Sequence, residues 1–208
     1  EAEQVQPRAF QGTARVMAMV PALRADVAWP TMWTRWLTAV ERAVRERQDQ
    51  LDVVHAALEA LHATLRVQEQ HAWWHDTWPT VVRLCDVHAS MTLSDLCFLV
   101  DMLHMLFVHR PCTDTNVDAM LHALHECIAH GLHVADALSL SHLHRLVKRV
   151  QESFEFMTHK GATRAKVLDA LQVCASMAYD AATMHSKHAR MHAMYMELVR
   201  EWLRQWLC

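Results

Sequence analysis

The stretch LSDLCFLVDMLHMLFVHRPCTDTNVDAMLHALHEC, residues 93–127, is echoed by LSHLHRLVKRVQESFEFMTHKGATRAKVLDALQVC, residues 140–174, at an offset of 47 without a gap. Identical pairs fall at Leu93/Leu140, Ser94/Ser141, Leu96/Leu143, Leu99/Leu146, Val100/Val147 and Phe107/Phe154. They resume at Leu121/Leu168, Ala123/Ala170, Leu124/Leu171 and Cys127/Cys174. These are the positions a helix needs: a serine at a start, then apolar side chains three and four apart. Such spacing predicts two amphipathic helices per copy. One helical hairpin cannot bury its apolar side alone, but stacked hairpins share a continuous core.

Weaker echoes extend the pattern towards the start of the chain. Leu51, Val54, Leu58 and Leu61 align with Leu96, Leu99, Leu103 and Leu106 at an offset of 45, and Trp29-Pro30-Thr31 returns as Trp78-Pro79-Thr80. Trp29-Pro30-Thr31 is expected to open a helix with Pro30 in its first turn, and Trp73, Trp74 and Trp78-Pro79-Thr80 to mark the start of another. Thr92 or Ser94 is expected to cap the helix that Pro111 ends, Asp114 or Thr115 the next, and Ser139 or Ser141 the one after. Gly131 is read as a closure or kink, and Gly161 as a helix end. The expected fold is therefore all-α: about eight helices in stacked antiparallel hairpins, an α-solenoid-like array over residues 29–208. Residues 1–28 hold Pro7, Gly12 and Pro21 with weak periodicity, and are read as an extended N-terminal arm.

Composition agrees. Three glycines and five prolines in 208 residues leave long stretches without a helix breaker, and half the chain is hydrophobic. No 18-residue stretch is free of charge, so no membrane span is expected. The six cysteines, Cys85, Cys97, Cys112, Cys127, Cys174 and Cys208, include no C-x-x-C pair and read as small buried hydrophobes of a reducing compartment. The net charge of −3 counts against general electrostatic nucleic-acid binding as the main task.

The pattern Leu-Ser-x-x-Leu-x-x-Leu-Val, followed by a second helix with Leu-x-Ala-Leu-x-x-Cys, resembles the degenerate helical repeats of organellar proteins. These are the repeats associated with RAP and FASTK domains and octotricopeptide-like arrays. The likeness covers residues 90–180 and rests mostly on leucine spacing. The excess of Arg (16) over Lys (4) is similar to that of divergent mitochondrial proteins. The resemblance implies organellar RNA metabolism or an accessory place in the mitochondrial ribosome, hence a mitochondrial matrix location. A start at Glu1 rather than Met fits a removed organellar presequence.

Chemistry was sought residue by residue. His185, His188 and His192 are spaced to lie on one face of a helix and are the candidates for a metal-binding bundle. His125-Glu126-Cys127-Ile128-Ala129-His130 spaces its histidines five apart, which places them on different faces and excludes a zincin site. No phosphate-binding glycine loop occurs, and no cysteine is set in a glycine turn. No enzyme activity, cofactor or small-molecule substrate is therefore expected. For RNA, the candidate contacts are Arg145, Lys148 and Arg149, with Lys160 and Arg164 following. Eight tryptophans exceed what a core of this size needs, and Trp29, Trp33, Trp73, Trp74, Trp202 and Trp206 are read as anchors for protein neighbours. The leading expectation is a non-enzymatic structural or assembly subunit of a large organellar complex, the mitochondrial ribosome first. An RNA-binding helical-repeat factor is the alternative.

Overall fold

Trp29, Trp33, Trp36, Leu37, Val40 and Val44 recur at helical spacing, and in the computed structural model all six lie on the buried side of one helix, α1 (Trp29–Glu46). The structure describes residues 8–12, 29–47, 49–67, 74–87, 91–136, 139–185 and 189–207. The outer face of α1 is laced by Arg42–Glu46 and Arg45–Glu41 pairs one turn apart. After α1 come α2 (Leu51–Val67), α3 (Trp74–Cys85), α4 (Leu93–Val108), α5 (Asp114–Val134), α6 (Leu140–His159), α7 (Arg164–Met184) and α8 (Ala189–Leu207). Residues 8–12 of the expected arm form a helical stretch, and the rest of the arm lies outside the described residues. The described residues are otherwise helices and connections, so the all-α expectation holds.

The chain divides into two compact units, residues 1–110 and 111–208, where the sequence had suggested one array from residue 29 onwards. In the first unit α1 packs on α2 and α3 on α4, giving two hairpins. The hairpins stack with α1 against α3 and α2 against α4. In the second unit α5 packs on α6 and α7 on α8, with α5 against α7 and α6 against α8. Short connections such as residues 47–50 and 160–163 require neighbouring helices to run antiparallel. The sequence echoes join helices of the same place in a hairpin. The echo at 45 links second helices, α2 with α4. That at 47 links α4 with α6, again second helices, and α5 with α7, both first helices, so its copy at 93–127 crosses the division after Arg110. Trp29 and Trp78 both lie in first helices. Burial follows the echo: Leu96/Leu143, Leu99/Leu146, Val100/Val147, Phe107/Phe154, Leu124/Leu171 and Cys127/Cys174 are buried in both copies.

Helix ends show where local chemistry was read correctly and where it was not. Thr92 caps α4 in a full capping box: its hydroxyl accepts from the Asp95 amide, and the Asp95 carboxylate accepts from the Thr92 amide at 2.9 Å. Helix α5 begins one residue before the expected caps, on Thr113, whose hydroxyl accepts from the Asn116 amide. Gly131 neither closes nor interrupts α5, which runs on to Val134 with Gly131 buried. Ser139 precedes α6, but its hydroxyl turns back to Asp136 Oδ1 at 2.7 Å instead of capping the helix. Trp78-Pro79-Thr80 does not open α3. The helix starts at Trp74 and carries Pro79 inside it. Pro79 and His75 are both exposed, so the missing hydrogen bond falls on the outer side of α3.

Gly161 ends α6 as expected, with φ of 99°. The Ala162 amide donates to Met157 O at 2.9 Å and the Gly161 amide to Thr158 O at 3.2 Å, a Schellman closure. A Cβ added at Gly161 meets no atom within 4 Å, so substitution is penalised through the backbone alone. Gly161→Ala is expected to cost about 1 kcal/mol, checked by urea denaturation with an unchanged m-value.

Candidate functional site

Helix α6 buries Leu143, Leu146, Val147, Val150 and Phe154, which leaves Arg145, Lys148 and Arg149 exposed on its opposite side. Arg145 and Lys148 have no hydrogen-bond or ion-pair partner among the described residues. Arg149 is tied to Glu152 one turn on, at 2.9 Å. Arg145, Lys148 and Arg149 occupy the second and third turns of α6, three and four residues apart, with Glu152 and Glu155 following towards the C-terminus. Like charges at that spacing repel one another on a helix.

The other two candidate cations do not join this patch. Lys148 and Lys160 are separated by about 18 Å of helix axis. Lys160 is half-buried at the end of α6 with its Nζ 5.7 Å from the Phe156 ring centre, and loss of solvation holds its pKa below the ordinary lysine value. Arg164 is exposed at the first turn of α7. The five therefore split into a cluster on α6 and a pair at the α6–α7 turn. Lys166 is neutralised by Asp114 and Asp118 on α5, at 3.2 and 2.8 Å.

The tryptophans correct the sequence reading. Trp29, Trp33 and Trp202 are completely enclosed, so they are core residues rather than surface anchors. Trp29, Trp33 and Trp36 form a contiguous aromatic row, with ring centres 6.3 and 5.2 Å apart. The Trp33 indole donates to Thr77 Oγ1 at 3.0 Å and so ties α1 to α3. The indole N–H groups of Trp29, Trp36 and Trp202 are buried without an acceptor among the described residues. Their large apolar bodies outweigh that cost. Trp73 and the side chains of Trp74 and Trp206 lie outside the described residues.

The histidine triad does not share a helix face either. His185 stands at the end of α7 with its ring 5.7 Å from that of Tyr195. His192 lies on α8, its Nδ1 3.0 Å from Ala182 O, and His188 is outside the described residues. Among the described residues no group of three His, Cys, Asp or Glu side chains is placed to hold a metal ion. Four cysteines, Cys85, Cys97, Cys127 and Cys174, are buried thiols outside any disulfide, as expected of small hydrophobes, whereas Cys112 is half-buried. Burial pushes the Cys174 thiol up to about 12, far from a reactive thiolate.

One polar cluster escaped the sequence reading. Asp95 is fully buried on α4, where Oδ1 lies 2.7 Å from His55 Nδ1 on α2 and Oδ2 serves the capping box. About two turns further on, His62 Nε2 lies 3.7 Å from Asp101 Oδ2. The Phe98 ring sits against both imidazoles, at 5.6 and 5.0 Å. The buried carboxylate orients the His55 ring, a pairing that also occurs in general bases. Asp95 is committed to the cap of α4, and the chemistry visible here is that of a seam between helices. An acid inside the apolar run of α4 was the available signal.

No described helix is long and apolar enough to cross a membrane. Comparison with protein-family models, with curated proteins and with solved structures gives no match, so function is argued from the chain's own surfaces.

Proposed function

We propose that this chain is a non-enzymatic structural subunit of a large organellar ribonucleoprotein, the mitochondrial ribosome. The observation that carries this reading is the exposed cation cluster of α6, where Arg145 and Lys148 have no partner among the described residues. Like charges three and four residues apart cost the isolated helix a few tenths of a kcal/mol, which is offset when phosphate lies against them. The recurring hairpins support the same reading: the echoes at 45 and 47 are those of a degenerate helical repeat, whose function is to present surfaces to neighbours. The net charge of −3 confines phosphate contact to this local face, with protein neighbours supplying most of the binding.

Affinity purification from organelles tests the proposal, with and without nuclease and at low and high salt. Ribosomal proteins are expected to accompany the chain, and those attached through protein contacts remain after nuclease treatment. Recovery of the chain without ribosomal proteins would overturn it. The alternative of a dedicated RNA-binding repeat factor predicts that every partner is lost with the RNA. For the α6 face, Arg145→Glu with Lys148→Glu is expected to weaken binding to a ribosomal RNA hairpin. The salt dependence of log K should become shallower by about one for each phosphate contact removed. Unchanged affinity would remove α6 from the RNA contact.

A further inference from the structure

We infer that the groove between α5 and α7 of the second unit receives a basic amphipathic helix of a partner protein. The inference deepens the structural-subunit reading and rests on it. The groove has a volume of about 260 Å³, room for a few side chains and not for a folded domain. Its apolar walls are Ala129 and Leu132 from α5 and Met177, Ala181 and Met184 from α7, and its polar lining is Asp180 with His133 and His185. Exposed large hydrophobics concentrate on these same helices: Val134 on α5, and Val173, Tyr179 and Met184 on α7. Met184 is 81% exposed, the most of any large hydrophobic side chain among the described residues. Val173, Met177, Ala181 and Met184 are spaced four, four and three apart, so they form one stripe along α7. A second helix would meet such a stripe with its own apolar face.

Charge decides the kind of partner. Asp114, Asp118, Arg164 and Lys166 lie at the N-terminal ends of α5 and α7, where Lys166 pairs with both aspartates, and the carboxylate that lines the groove is that of Asp180. Asp169 and Asp180, exposed along one edge of the α7 stripe, have carboxylates without a partner among the described residues. An acidic edge beside an apolar floor repels RNA and acidic proteins and suits lysine or arginine flanking a leucine-rich face. Ala129 and Ala181 let the partner backbone approach closely, and two flexible methionines fit their shape to it.

The test uses the full chain and two synthetic helical peptides that share a leucine face. One carries lysine on its polar face and the other glutamate. Fluorescence anisotropy is expected to show binding of the lysine peptide and at least tenfold weaker binding of the glutamate peptide. Met184→Glu, at a site too exposed to unfold the unit, should weaken the lysine peptide at least tenfold. Asp169→Lys with Asp180→Lys should reverse the preference. Equal affinity for both peptides, or no change in either variant, would overturn the inference. So would concentration-dependent dimerisation of the wild type that Met184→Glu abolishes, since the occupant would then be a second copy. Co-purification with ribosomal proteins is read separately, so failure of the groove is distinguishable from failure of the subunit reading.

Discussion

Asp95→Ala is expected to be the most damaging single polar substitution in the described chain, lowering stability by about 2–4 kcal/mol. The carboxylate is fully buried and serves the Thr92 amide, the Thr92 hydroxyl and His55 Nδ1. Removing it deletes a capping box, worth about 1 kcal/mol, and the bond between the carboxylate and the half-exposed His55 ring, worth about 1–3 kcal/mol more. Asp95→Asn retains the volume and one acceptor oxygen and is expected to cost roughly half as much. Chemical denaturation followed by far-UV circular dichroism measures both. A loss below about 1 kcal/mol for Asp95→Ala would show that the seam between α2 and α4 contributes little.

The second large effect separates core from interface. Trp33→Ala is expected to cost about 4 kcal/mol, as for other enclosed aromatics, and to unfold the first unit at moderate denaturant. Trp33→Phe loses the 3.0 Å bond to Thr77 Oγ1 as well as volume, whereas Trp202→Phe removes an indole N–H that has no acceptor among the described residues. The phenylalanine variant at 33 should therefore be the more destabilised of the two, by about 1 kcal/mol. Denaturation of both variants, read by circular dichroism, provides the comparison. Were Trp33→Ala to leave folding intact and abolish only partner binding, Trp33 would be an interface residue after all.

Much of this architecture is written in residue spacing, because burial and helical period are linked. Leu96, Leu99 and Val100 announced α4, and Leu143, Leu146 and Val147 announced α6, since a buried stripe must recur at three and four residues. Gly161 was legible because only glycine takes that backbone angle without strain. Caps were less legible where several small polar residues compete. Thr113, Asp114 and Thr115 are adjacent, and the choice among them depends on how α5 packs. The tryptophans were misassigned because a sequence shows how many large side chains exist, not how much volume the helices enclose. His55 and Asp95 are 40 residues apart, and only the packing of α2 on α4 brings them to 2.7 Å. The five candidate cations were grouped by proximity in sequence, but helical rise along α6 sets Lys148 and Lys160 about 18 Å apart. The division at Arg110 and Pro111 is hidden for a related reason: a proline ends a helix whether or not a unit ends with it.

Sedimentation of an organelle extract through a density gradient interrogates the proposed assembly most directly. A 24.0 kDa chain held in a ribosome travels with the ribosomal particle and stays there when salt is raised enough to strip loosely held factors. Recovery of the chain near the top of the gradient, at the size of a free protein and apart from ribosomal RNA, would contradict the proposed place in a ribonucleoprotein.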